Sequence, residues 1–304
     1  LLVVLVSGGA AYFGADLLIG NYLGKTAKSE DIHEGDISVF DMKDYVQPEV
    51  DNIVLLGIDS EDNTTRSDAM KLISIDKTNW DLTITSLQRD NLVWQPMQGR
   101  YEKLNHAYWY NRVEGSLSAI NYNYDLDVKK YILFNYDSIE KIVDIVGGVD
   151  IELTGMEILY GNLGVSGEVG VYHLNGKQSL EYCSLRRLDD DYGRMQRQNN
   201  VITAIITSVK SKSIPEILDI VGKCLPYVET NLSSGEIKEY AMNMLNFDLN
   251  NINQFQFPSN GMSDVLGSVV VNNWSPNYVL KDFATEVQKM HVNIYGEDGY
   301  TPSD

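Results

Sequence analysis

The chain has 304 residues, 43% of them apolar, which is enough to bury a substantial core. Its formal net charge is -19 and its pI near 4.5; with no basic patch outside one arginine cluster, broad non-specific binding to DNA or RNA is excluded. Cys183 and Cys224 are too few for a disulfide framework and lack Cys-x-x-Cys or Cys/His metal spacing, so they read as buried small side chains, with one bridge between them left open.

Residues 1–24 carry a single charge, Asp16, and read as a membrane anchor in preference to a cleaved signal peptide or a buried helix. No second apolar run approaches spanning length, which leaves the remainder as a soluble body on one side of the membrane. Residues 25–50, acidic and punctuated by Gly35 and Pro48, read as a tether. The body then opens with a buried strand over 52–58, followed by a hairpin, 70–75 and 82–87, turning at Asp76-Lys77-Thr78-Asn79. Helical segments over 103–110 and 116–122 precede a strand at 130–134, a helix at 138–146 and a strand at 149–153. A helix over 175–184 follows. Residues 194–211 form the clearest helix, with Met195, Ile202, Ile206 and Val209 in one stripe. Helices at 215–223 and 234–246, strands at 254–257 and 268–271, and a last helix at 276–290 complete the body. The order is mixed α and β, with one domain over 51–290 and a polar tail over 291–304.

Four of the eight arginines, Arg186, Arg187, Arg194 and Arg197, fall within one short stretch, and the others (Arg66, Arg89, Arg100 and Arg112) all lie upstream. Guanidinium presents a planar fork that matches carboxylate or phosphate, so such a cluster in an acidic chain points to an anion site. Arg194, Arg197 and Gln198 share one helix face, beginning just after Asp190 and Asp191, either of which can cap that helix. Cations at a helix start oppose its dipole and need an anionic partner. A solvated charge run neutralised by Asp189, Asp190 and Asp191 is the plainer reading. Upstream, Asp59 after Gly57 and Asp68 in Arg66-Ser67-Asp68 could offer hard oxygen ligands to Mg²⁺, although aspartates in turns are commonplace. Ser86-Leu87-Gln88-Arg89-Asp90 ends a strand in an ion pair, where open α/β sheets place ligands. Lys103, Asn105 and His106 add a cation, an amide and an imidazole; on residue type alone Lys103 is a solvated helix lysine and His106 a structural histidine.

In order, these pieces resemble one family. Gly57-x-Asp59, Arg66-Ser67-Asp68, Ser86-x-x-Arg89-Asp90, Lys103-x-Asn105-x-Ala107, Asn175-Gly176 with Leu180 and Tyr182, Arg186, and Asp191-x-x-Arg194-x-x-Arg197-Gln198 follow the pattern of the LytR-CpsA-Psr cell-wall glycopolymer ligases. The resemblance implies an α/β domain, a mixed sheet sandwiched by helices, behind an N-terminal membrane anchor helix. It implies a single-pass protein of the cell membrane, its catalytic domain extracellular, in Gram-positive-type bacteria. Such enzymes move an anionic glycopolymer, teichoic acid or capsule, from a polyprenyl-pyrophosphate carrier to peptidoglycan and form a phosphodiester. By resemblance, Asp59 and Asp68 hold Mg²⁺ or Mn²⁺, and Arg66, Arg89, Lys103, Asn105, Arg186, Arg194, Arg197 and Gln198 bind the pyrophosphate. Arg89 and Asp90 act at the reacting centre, and Asp191 is the second choice to activate the acceptor hydroxyl. No nucleotide is implied, since there is no Gly-x-x-x-x-Gly-Lys-Ser/Thr loop.

The chain departs from the pattern at Ser184, Glu61 and Gln88, where many members carry Arg, Arg and Pro. These departures keep two alternatives open: a catalytically weak, membrane-tethered module that binds polyprenyl phosphates, and a polyprenyl-pyrophosphate hydrolase.

Overall fold

The computed structural model describes residues 49–59, 65–243, 246–248, 252–296 and 300–302. The expected anchor over 1–24 and nearly all of the tether lie outside them. Among the described residues no helix is long and apolar enough to cross a membrane.

In chain order the elements begin with β1 (Val50–Ile58), β2 (Ser67–Asp76), β3 (Asp81–Leu87), β4 (Leu92–Gln95), β5 (Arg100–Lys103), α1 (His106–Tyr124) and β6 (Lys130–Asn135). Next come α2 (Tyr136–Val146), β7 (Val149–Leu153), α3 (Gly155–Tyr160), β8 (Gly170–Leu174), α4 (Gly176–Ser184), α5 (Asp191–Lys210), α6 (Ile214–Cys224), β9 (Glu229–Thr230) and α7 (Ser234–Asn243). The chain closes with β10 (Asn253–Phe257), β11 (Val265–Val271), β12 (Trp274–Leu280) and α8 (Phe283–Tyr295). Where one domain over 51–290 is expected, the chain divides into two compact units, one holding residues 134–249 and the other the flanking stretches up to Leu133 and from Asn250.

The flanking stretches build the sheet, in the order β10-β3-β2-β1-β6. β1, β2 and β3 run antiparallel, and β10 lies parallel to β3, so the sheet is mixed. Strand period places Val54, Leu56 and Ile58 of β1, Met70 and Leu72 of β2 and Leu87 of β3 in one core with Leu117, Ile120 and Tyr124 of α1 and Met290 and Ile294 of α8. Helix α1 is broken at Asn111 and Arg112, which leave helical geometry, so the two helical segments read from sequence are its two halves. Lys103 belongs to strand β5 and not to a helix. The last stretch also differs: residues 274–280 are strand β12, and the closing helix starts at Phe283 and runs to Tyr295. Beyond it, Tyr300 is buried, stacked on His291 and donating its hydroxyl to Asp125, so Tyr300 belongs to the fold.

The central stretch packs α2, α4, α5 and α6 with the β7–β8 hairpin. Asn135 caps α2 by accepting from Ser138 N at 2.9 Å, worth about 1 kcal/mol. Asn175 and Gln178 form a capping box at the start of α4, and Gly176 N donates to Asp144 Oδ1 at 2.7 Å. The Asn-Gly of the sequence pattern is thereby explained as a helix start pressed on α2. Cys183 and Cys224 are both buried and unbonded to each other, and burial pushes the Cys224 thiol up to about 12.

A β-carbon on Gly176 would meet Glu140 O at 2.0 Å, a backbone atom that cannot swing aside. Gly176→Ala is therefore expected to destabilise the chain by about 1–3 kcal/mol, read as a lower urea midpoint; an unchanged midpoint would show that α4 can slide on α2 freely.

Candidate functional site

In the unit built from the flanking stretches, several charged residues converge at one end of the sheet. β1 and β2 pair in register up to Gly57 and Ala69, then slip, so that Ile58 faces Ser67 and Asp68 is the extra residue of a bulge. A bulge re-aims the side chain it carries. Asp68 Oδ1 takes Arg89 Nη1 at 2.6 Å. Asp90 Oδ2 lies 3.6 Å from Arg89 Nε, and Asp90 Oδ1 accepts from Lys103 Nζ at 2.7 Å. The two loops are joined through the backbone, Asn105 N to Arg89 O at 3.1 Å and Leu104 N to Asn91 O at 2.9 Å. Gln88, at the family's proline position, is buried and uses what proline lacks: its N–H donates to Phe257 O at 3.0 Å, while its Oε1 accepts from Asp90 N at 3.1 Å. Asn105 is buried, and its Oδ1 has no hydrogen-bond partner among the described residues.

Arg66 stands with its guanidinium over the Trp109 ring, 5.2 Å from the centroid. Edge-on to the same ring is His106, which is fully buried and whose Nδ1 donates to Glu102 Oε2 at 3.0 Å. Glu102 is fully buried and also accepts from Asn272 Nδ2 at 2.5 Å. Nothing in the sequence singles out this carboxylate; a lone Glu in a four-residue strand carries no pattern beyond its i, i+4 spacing to His106.

In the unit holding residues 134–249, Asp190 caps α5, accepting from Tyr192 N at 3.1 Å and Gly193 N at 3.2 Å. Asp191 pairs with Arg194 at 2.7 Å. Arg197 closes its fork on Asp189 with two bonds, 2.7 and 2.8 Å, and donates to Leu185 O at 2.8 Å. Burial alone would lower the Arg197 pKa, but the Asp189 hydrogen bonds and charge, aided by Glu157, outweigh it and hold the pKa above the ordinary arginine value. A β-carbon on Gly193 would sit 2.2 Å from the Asp189 carboxylate, so glycine there is what lets Asp189 reach Arg197. Gln198 is buried on the same helix, whereas Arg186, Arg187 and Ser184 are exposed. The structure thus gathers Asp59, Arg66, Asp68, Arg89, Asp90, Lys103 and Asn105 in one unit, and Arg194, Arg197, Gln198 and Asp191 at one helix start in the other. Glu61 lies outside the described residues.

Asp59, an exposed residue immediately after β1, and Asp68 in the bulge beside it are hard oxygen donors at adjacent strand ends. No group of three or more His, Cys, Asp or Glu that could hold a metal occurs among the described residues. Two carboxylates fit Mg²⁺, which draws its other ligands from water and phosphate, better than a metal that needs a closed protein cage.

Burial first, and the charge of Arg66 second, push the His106 imidazole down to about 4 against the pull of Glu102. Its folded pKa lies below the unfolded value, so the stability it permits is complete above about 6.5 and falls as pH drops toward 4. Between pH 7 and 4.5 the wild type should lose on the order of 2–3 kcal/mol more than His106→Gln, followed by urea midpoints; equal losses would mean that the imidazole takes up its proton inside the fold.

The LytR_cpsA_psr family matches residues 19–290 of this chain. Among curated relatives, the polyisoprenyl-teichoic acid–peptidoglycan teichoic acid transferase TagU of Enterococcus faecalis is 29% identical over 63% of this chain and 64% of its own length. TagU of Oceanobacillus iheyensis is 32% identical, over 66% of this chain and 64% of its own, so the chain spans a little under two thirds of these two relatives. TagU of Bacillus mycoides is 30% identical over 69% of each. In fold, the chain is similar to TagT bound to LIIa-WTA, with a TM-score of 0.68, 24% identity and coverage of 88% of this chain and 100% of that one. B. subtilis TagV gives 0.65 at 22% identity, over 84% and 100%. These likenesses bear out the mixed α/β fold. Since the family match takes in the sheet-end cluster and the α5 cluster alike, the protein belongs to the LytR-CpsA-Psr family.

Proposed function

We propose that this protein is a phosphotransferase that moves an anionic glycopolymer, such as teichoic acid, from a polyprenyl-pyrophosphate carrier to peptidoglycan at the outer face of the cell membrane. The observation that carries the reading is the sheet-end cluster: Arg89 held by Asp68 at 2.6 Å beside Asp90 held by Lys103 at 2.7 Å. Family membership and relatives named as teichoic acid transferases support the substrate class.

Phosphoryl transfer asks mainly for positioning and charge neutralisation, and cations fixed beforehand supply both without reorganising during the reaction. The acceptor hydroxyl oxygen forms a bond to the phosphorus that carries the glycopolymer, and the bond from that phosphorus to the bridging oxygen breaks. Polyprenyl phosphate leaves with the electron pair. Arg89 and Arg66 bind the pyrophosphate oxygens, joined by Lys103; Arg186, Arg194, Arg197 and Gln198 carry the same assignment from the family pattern. Arg197, its fork already on Asp189, serves chiefly by holding the α5 start in shape. Asp90, oriented between two cations, is assigned to the hydroxyl proton, and Asp191 is second to it. Asn105 Oδ1 is an acceptor atom, suited to the acceptor hydroxyl or to a metal-bound water more than to phosphate. Mg²⁺ held by Asp59 and Asp68 would add charge neutralisation at the pyrophosphate.

Incubating the full chain with a lipid-pyrophosphate-linked glycopolymer, peptidoglycan oligomers and Mg²⁺ should yield a polymer–peptidoglycan conjugate, detected by mass. Arg89→Ala is expected to lower coupling roughly 100-fold, the scale of losing one charged transition-state contact. Phosphate release without coupling would indicate a hydrolase, and saturable binding without turnover a binding module. Asp68→Ala should weaken the Mg²⁺ dependence of coupling; full activity at unchanged Mg²⁺ concentration would remove its metal role and show that coupling does not need its pairing with Arg89.

A further inference from the structure

Strands β11 and β12 form a hairpin that turns at Asn272 and Asn273, with φ of 49° and 67°. Two successive positive φ values mark a tight turn whose twist matches the strands it joins. From Val265 to Leu280 there is no charged side chain, in a chain that is 22% charged. Leu266 and Val270 are 71% and 68% exposed, and Val269 is exposed beside them. Among the described residues β11 pairs with β12 alone. A long apolar strand open on its outer edge is a hazard in water unless something covers it.

The hairpin is rooted in the sheet-end cluster. Asn272 donates to Glu102, the carboxylate that holds His106, and Tyr278 N donates to Asp90 O at 2.8 Å. The cluster lies at the far end of β1 from Val50, where the chain enters the sheet. Nine residues of strand put about 30 Å between those ends, and a tether of about 25 residues spans roughly 80 Å when extended. An anchor before that tether would leave the cluster free to point away from the bilayer. A chain of charge -19 is repelled by anionic headgroups, and this uncharged element, part of the cluster's own unit, can enter them at low cost.

We infer that the β11–β12 hairpin docks in the lipid–water interface and holds the Arg89–Asp90 strand end against the bilayer, where a polyprenyl-linked donor resides. This inference rests on the proposed function for the identity of the donor. The occupant is a lipid surface; a second copy of the chain is the rival outcome.

The full chain is reconstituted in phosphatidylcholine–phosphatidylglycerol vesicles, with an environment-sensitive fluorophore on Val270→Cys or, as control, on Thr78→Cys in the turn at the opposite end of the sheet. Cys183 and Cys224 are buried and stay unlabelled. Lipid-borne quenchers should quench position 270 at least about twofold more than position 78, as for a side chain within the headgroup boundary. Equal quenching overturns docking, as does shielding of 270 that grows only with the protein-to-lipid ratio, the mark of a second copy. In a second arm, Leu266→Glu with Val270→Glu should leave the thermal midpoint unchanged and coupling from a short-chain, water-soluble donor intact. Coupling from a vesicle-embedded donor should fall about tenfold with loss of the interfacial contact. An equal fall for both donors would mean that the hairpin acts through the cluster, against docking. If the wild type couples neither donor, the proposed function fails, while quenching at 270 still decides docking.

Discussion

Arg89 and Asp68 meet at 2.6 Å where β2 begins and β3 ends, and each side chain is only 15% exposed. Charges this poorly hydrated persist only when paired, because removing one partner strands the other at a cost of several kcal/mol. The bulge at Asp68 makes the pairing possible by turning one extra residue out of the β1–β2 ladder toward the neighbouring strand end. Lys103 and Asp90 are then fixed by the same loops, through Asn105 N on Arg89 O and Leu104 N on Asn91 O. Guanidinium and ammonium are therefore oriented before any ligand arrives, which is the condition under which fixed charges accelerate a reaction.

The α5 start solves the same problem with local carboxylates. Two cations near a helix N-terminus, Arg194 and Arg197, are unfavourable against the helix dipole, and Asp189, Asp190 and Asp191 supply a pair for each arginine and a cap for the backbone. Asp190 caps the backbone, Asp191 takes Arg194 and Asp189 takes Arg197. An acidic run that resembles mere solvation is in fact three separate partners. The consequence for function is a division among the arginines. Arg197 maintains local structure, whereas Arg186 stands exposed just beyond the end of α4.

Elements with clean periodicity were legible from sequence: β1, the β2–β3 hairpin, α2 and α5 lie where hydrophobic spacing puts them. The order of charged motifs pointed to the family, and the family match bears that out. Short elements were not legible. β4 and β5 have four residues each, too few for a period to emerge, and so Lys103 read as a helix residue. Pro276 read as a helix start, yet it lies in β12 where the register with β11 slips, one of the few strand positions that tolerates a residue without an N–H. Glu102 was invisible because its importance comes from partners distant in sequence, Asn272 above all.

The departures from the family pattern differ in physical weight. Gln88 has an N–H that reaches Phe257 O and a side chain that accepts from Asp90 N, and a proline there could make neither bond. These hydrogen bonds, each worth about 0.5–1.5 kcal/mol net, fix the strand end. Ser184 is another matter. It is exposed at the end of α4, so a side chain there projects into solvent. Its effect can fall only on what binds from outside, where a missing charged contact is worth about 1.5–3 kcal/mol.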